Sequence, residues 1–280
     1  MKNQPSARTT YWEEVKTAAA YINQQDIRRP EVAIVLGSGL GPIAERIEDV
    51  NLLPYHQIPG CPVSTAPGHE GNLLFGSLAE RTVIAMQGRF HYYEGYSMDQ
   101  VVFLIRVMAV LGVRSLILTN AAGGVNRAFR PGDLMIITDH IGLGCVSPLI
   151  GPNIEDLGPR FNDQTHVYDP QYITLAHEVA QKIGTSLQSG IYFYAQGPAY
   201  ETPAEIQAIG RLGGDAVGMS TVPEAICANH AGIRIFGLSC ITNYAAGIMD
   251  EPLNHEEVLA VGAKVSDQAV ALVEGMLPYM

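Results

Sequence analysis

The chain is short of cysteine, lysine and long apolar runs, and each shortage excludes something. Only four cysteines stand in 280 residues, at positions 61, 145, 227 and 240. They form no Cys-x-x-Cys pair and no metal-ligand spacing, which argues against a disulfide framework and against a zinc module. They read as the reduced thiols of a cytoplasmic protein. No apolar stretch reaches the ~18 residues that a membrane span requires; the longest, Val101 to Val113, is broken by Arg106. The opening residues, MKNQPSARTTYWEE, hold no apolar signal core. A soluble protein with no membrane partner is expected. Basic residues number 17 against 28 acidic ones, a formal charge of −11, which repels a polynucleotide backbone at long range and excludes nucleic acid as a partner class. No lysine lies between Lys16 and Lys182, an absence that decides one question below.

What is present points to a layered α/β fold. With 47% hydrophobic residues the chain can bury a large core, and one domain over residues 1–280 is expected. Short apolar runs at Val32–Leu36, Thr82–Met86, Ser115–Thr119, Leu134–Thr138, Gly190–Ala195 and Ile233–Ile241 read as strands. Most are too continuously apolar to face water, so the sheet, largely parallel or mixed, should be covered by helices on both faces. Ser or Thr followed three residues later by Glu or Gln marks helix starts at Thr10, Ser97, Thr202 and Thr221. The helix Ser97–Leu111 is apolar nearly all round and should be internal. The last helix opens at Asn254 and packs through Val258, Leu259, Ala269, Val270 and Val273.

The run VLGSGLGP, residues 35–42, empties a buried strand into a glycine-rich turn. A dinucleotide fingerprint would need glycine at 42, where Pro42 stands, and an acid about twenty residues on, where Tyr55-His56-Gln57 stands. A triphosphate loop would need Gly-Lys-Ser/Thr, and the lysine is missing. What remains is a turn whose N–H groups and Ser38 hydroxyl face one small anion, near a helix beginning at Pro42. Other strand ends agree. MQGRFHYYEGY (86–96) projects Arg89 and His91 to one side of an extended chain. LTNAAGGVN (118–126) reads as a turn of small residues with the Asn120 amide, and Ser220 and Thr221 sit at a helix N-terminus, one of them as a plain cap. QGPAYETPAEI (196–206) places Tyr200 beside Glu201, and CITNYAAG (240–247) ends a strand on Asn243. A ring, a carboxylate and an amide suit a heterocyclic base.

Taken in order, GSGLG, PGHEG (67–71), GRFHYYEGY (88–96), TNAAGG (119–124), GPAYET (197–202), DAVGMSTVPE (215–224) and NHEEVL (254–259) resemble the trimeric purine nucleoside phosphorylases over most of the chain. The resemblance implies phosphorolysis of purine nucleosides by inorganic phosphate, with no cofactor and no metal. It implies that Ser38, His69, Arg89, His91, the Ala121 N–H and Ser220 bind phosphate. It also implies that Tyr93, Met219 and His255 line the ribose, and that Tyr200, Glu201, Gly218 and Asn243 line the base. Asn120 joins this nucleoside side, and His91, Glu201, Asn243 and His255 take the catalytic roles. Phe161, in GPRFND, matches an aromatic that reaches into the neighbouring subunit's sugar site, so a homotrimer is implied. Tyr200 and Tyr244 stand where mammalian members carry phenylalanine and lysine, which places bacterial-type members nearer. The rival readings are a methylthioadenosine phosphorylase, which would want a small apolar residue in place of His255, and a nucleoside sensor without turnover.

Overall fold

Five apolar residues, VAIVL, form the innermost strand β1 (Val32–Leu36), buried along its whole length. This computed structural model describes residues 7–249 and 255–280. β1 lies between two parallel neighbours, β4 (Arg81–Gln87) and β5 (Ser115–Gly124). Beyond β4 the sheet continues antiparallel through β3 (Asn72–Leu78) to β2 (Glu48–Pro54). On the other side β5 is shared. One of its edges runs parallel along the whole of β9 (Arg234–Tyr244). The opposite edge pairs with β1 at Ser115–Leu118, then with the antiparallel β8 (Ala216–Gly218) at Gly123 and Gly124. β8 pairs with β7 (Leu187–Tyr194), β7 with β6 (Leu134–Ile141), and β6 returns to β9, so five strands close into a ring.

Helices cover both faces, as the apolar strands require. α1 (Ala7–Gln25), α3 (Met98–Val101), α4 (Phe103–Leu111) and α7 (Val222–His230) pack on one face. α2 (Pro42–Glu45), α5 (Pro170–Ile183) and α8 (His255–Met276) pack on the other, α8 through Ala269, Val270 and Val273. α6 (Pro203–Arg211) covers the ring beside β8 through Ile206 and Ile209. Among the described residues no helix is long and apolar enough to cross a membrane.

The mixed α/β architecture agrees with expectation, and several local expectations need correction. TNAAGG is strand rather than turn: β5 runs through it to Gly124, held by β9. Its small side chains serve close packing. β2, β3 and β8 carry no strong strand signal; β2 is mostly exposed and β8 has three residues. Thr10 does not start a helix, because α1 is already under way at Ala7. The Ser97 and Thr202 capping boxes form as expected, but the internal helix divides at Val102 into α3 and α4. The helix at Pro42 is one turn long, too short to offer a useful dipole. Asn254 and the Val258 and Leu259 side chains lie outside the described residues.

Candidate active site

Between Leu118 and Gly123 the shared edge of β5 has lost β1 and has not yet met β8. A cleft opens there, at the carboxyl ends of β1, β4, β7, β8 and β9, where ligands collect in open α/β sheets. It holds a cavity of about 140 Å³, space for on the order of ten waters that a ligand would displace. Gly37 closes its floor: its N–H donates to Thr119 Oγ1 at 3.0 Å, and a Cβ there would overlap the Thr119 carbonyl oxygen and lie 2.7 Å from Asn120 Cα. Part of the demand for glycine in GSGLG is thus packing against β5. Ser38, next along, lines the cleft with His69, Arg89, His91, Ala121 and Ser220.

Arg89 is 1% exposed. Its Nη1 donates to Glu224 Oε2 at 3.2 Å and to Thr221 Oγ1 at 3.1 Å, and its Nη2 donates to the Thr119 carbonyl. The charge expected to await an anion therefore already has a buried carboxylate partner. Asn120 lies beside it, donating from Nδ2 to Thr221 Oγ1 at 2.9 Å, which sets its amide nitrogen at this end of the cleft rather than at the base end.

Each of the two histidines has its Nδ1 fixed by a neighbour. His69 Nδ1 accepts the Arg89 N–H at 2.8 Å, so the neutral ring carries its proton on Nε2. His91 Nδ1 lies 3.0 Å from Glu94 Oε1, which can only accept, so Nδ1 is the nitrogen held by Glu94 and Nε2 is the one left for the cleft. The rings meet edge to face at 5.1 Å. Burial raises the Glu94 carboxyl, but bonds from His91 and from the Thr65 hydroxyl and N–H outweigh it and bring the pKa down to about 2. Glu94 stays ionised and orients His91.

The far end of the cleft is built for a flat polar ring. Tyr93 stacks on His91 at 4.6 Å and 17°, and burial pushes its hydroxyl up to about 12. Met219 packs against Gly197, close to Tyr93. Tyr200 is 43% exposed at the rim. Beside it the Glu201 carboxyl is raised by burial and by Glu205. Asn243 Oδ1 accepts from Thr242 Oγ1 at 2.9 Å, and its Nδ2 donates to the Tyr244 carbonyl at 2.9 Å, leaving a second N–H for a ligand. Gly218 must be glycine: a Cβ would overlap the Tyr192 hydroxyl and lie 3.0 Å from its Cζ, and that buried hydroxyl receives the Ser220 N–H at 3.4 Å.

Phe161 is 91% exposed. Its segment is anchored on both sides, by His230 Nε2 on the Pro159 carbonyl at 3.1 Å and by Asn229 Nδ2 on the Asp163 carbonyl at 2.8 Å. His255 opens α8, with its side chain outside the described residues. Sequence reasoning passed over Glu94 and the second duty of Glu224. The capping spacing, His91 to Glu94 and Thr221 to Glu224, was the available signal in both cases. Thr242, Val217 and Ala245 also line the cleft and carry no signal of their own.

Comparison with known proteins agrees with this arrangement. Residues 31–278 match the phosphorylase superfamily. The chain is 52% identical to purine nucleoside phosphorylase 1 of Bacillus subtilis (strain 168), covering 95% of this chain and 98% of that one. It is 44% identical to purine nucleoside phosphorylase of Bos taurus, covering 95% and 96%. The structure of Schistosoma mansoni purine nucleoside phosphorylase in complex with inosine superposes with a TM-score of 0.91 at 42% identity, over 96% of each chain. The order of the strand-end motifs, the cleft they form and these likenesses agree: the chain belongs to the purine nucleoside phosphorylases of the phosphorylase superfamily.

Proposed function

We propose that the cleft holds inorganic phosphate beside a purine nucleoside, and that the protein is a pentosyltransferase. It cleaves the N-glycosidic bond of (deoxy)inosine and (deoxy)guanosine with phosphate, yielding free base and (deoxy)ribose 1-phosphate, a reaction of purine salvage. The observation that carries this reading is the juxtaposition in one cleft of an anion-holding end, with Ser38, His69, Arg89, His91 and Ser220, and a base-reading end with Glu201 and Asn243.

Phosphate is oriented by Arg89, the two histidines, Ser38, Ser220 and the Ala121 N–H, so that one oxygen faces the anomeric carbon. As the glycosidic bond stretches, positive charge grows on the sugar and the phosphate dianion stabilises it. Negative charge gathers on the leaving imidazole ring, and the second N–H of Asn243 meets it at N7. Ionised Glu201 accepts from purine N1–H and the 2-amino group, which adenine lacks in that pattern, so 6-oxopurines are preferred. Tyr93, Met219 and His255 line the ribose, and Tyr200 covers the base. The reaction uses no cofactor and no metal; phosphate is the second substrate. In this reading Phe161 completes the sugar site of a neighbouring copy in a homotrimer, and the protein works in the cytoplasm, in keeping with four free thiols.

The test is base release from inosine, guanosine, xanthosine and adenosine with and without phosphate. Phosphate-dependent release from inosine and guanosine is expected. Equal release without phosphate means a hydrolase, and binding without release means a sensor; either outcome overturns the reading.

A further inference from the structure

Behind Ser220 lies a second hydroxyl, fully buried, that belongs to Thr221. Thr221 caps α7 with φ at 73°, a backbone region that a β-branched residue adopts only where its surroundings over-determine it. Four groups do so here. Glu224 Oε2 accepts the Thr221 N–H at 2.8 Å. Arg89 Nη1 and Asn120 Nδ2 point at Thr221 Oγ1 from 3.1 and 2.9 Å. Ser220 Oγ lies 3.1 Å from the same atom.

The direction of these bonds follows from chemistry. A guanidinium N–H and an amide NH2 can only donate, and a hydroxyl oxygen has two lone pairs. Arg89 and Asn120 fill both. The one hydrogen of Thr221 is therefore directed to Ser220 Oγ, and Ser220 keeps its own hydrogen for the cleft. Were the last bond reversed, Ser220 would turn a lone pair towards an arriving anion.

From this geometry we propose that Thr221 is a positioning residue for phosphate. It ties Arg89, Asn120 and Ser220 to one point and polarises the chain so that Ser220 faces the anion as a donor, without touching phosphate itself. The inference rests on the reading of this end of the cleft as the phosphate site.

Thr221→Val exchanges the hydroxyl for a methyl group of similar size and keeps the N–H bond to Glu224 that helps hold the backbone. The KM for phosphate should rise about tenfold, equivalent to about 1.4 kcal/mol, while the KM for inosine and kcat stay within about threefold. Thr221→Ser should bring the phosphate KM back to within about twofold of wild type. A residue that serves only folding would lower the melting temperature and the active fraction and leave both KM values alone; that outcome, or a parallel rise in both, overturns the proposal. If the valine protein does not fold, Thr221→Ala, which only removes atoms, is read in the same way. Calorimetric titration of wild type and variant with inorganic phosphate alone separates this inference from the proposed reaction. Weaker binding to the variant supports the positioning role even if wild type releases no base, and equal binding overturns it.

Discussion

Arg89 Nε and Glu224 Oε1 are both buried without a hydrogen-bond partner, although the two residues are paired through their other atoms. Desolvating two charges costs about as much as their attraction returns, but stranding one of them is expensive. Arg89→Ala should therefore lower stability by about 3–5 kcal/mol as well as weaken phosphate. Arg89→Met combined with Glu224→Gln, whose amide oxygen can still accept the Thr221 N–H, should recover most of the stability and none of the phosphate affinity. Urea unfolding and the phosphate KM of single and double variants check this, and a double variant no more stable than Arg89→Ala would count against the pairing. Asn243 carries a second prediction. In Asn243→Asp the Thr242 contact survives, but a carboxylate oxygen now opposes the Tyr244 carbonyl and the 6-oxo group of inosine. Adenosine presents a 6-amino donor instead. The adenosine-to-inosine ratio of kcat/KM should rise about tenfold, or about 1.4 kcal/mol; equal loss on both substrates would remove Asn243 from base reading.

At the scale of elements, the single 3-10 turn Tyr92–Glu94 is held to its surroundings by one carboxylate. Glu94 binds the His91 and Thr65 backbones, the Thr65 hydroxyl and the His91 ring. Its pKa falls from 4.5 to about 2 on folding, so the stabilisation is present above the ordinary carboxylate value and is lost as pH drops through that interval. Glu94→Gln should cost on the order of 2–3 kcal/mol at pH 7, and the gap to wild type in urea unfolding should close between about pH 4.5 and about pH 2. A gap independent of pH would mean that the turn is held by shape rather than charge. This element also shows what was legible from the chain. β1 could be read to the residue because VAIVL is buried on both faces, where periodicity and burial agree. TNAAGG could not, because small residues signal a turn locally while the competing partners, β9 and β8, are more than ninety residues away. The site residues on loops were visible as motifs. Thr221 and Glu224 read as ordinary capping residues and Glu94 carried no reading of its own, because their second partners, Arg89 and Thr65 among them, become neighbours only through the fold.

Over the whole molecule, the segment from Gly142 to Phe161 leaves apolar side chains in water: Leu143 is 76% exposed, Ile150 67% and Phe161 91%. In the proposed homotrimer a neighbouring copy would cover side chains of this kind. If Phe161 enters the sugar site of a second copy, Phe161→Ala and Glu201→Ala proteins, each weakened alone, should regain activity when their subunits are exchanged. No recovery after exchange proven by mass would place Phe161 outside the site. The closure of β5, β8, β7, β6 and β9 into a ring bears on a different matter, the tendency of sheets to recruit further strands. A nine-stranded open sheet has two bare edges, and each is a template for aggregation. Here the ring consumes one. The other, β2, is interrupted by a register shift between Glu48 and Asn51, carries adjacent acids and ends in Pro54. Arg28 Nη1 covers its Asp49 carbonyl at 2.9 Å, and the Asn51 side chain is tied back to Gln25. The arrangement that opens the cleft also leaves β2 as the one terminal strand among the described residues, and its outer edge is bent, charged and partly capped, a poor surface for another chain to extend.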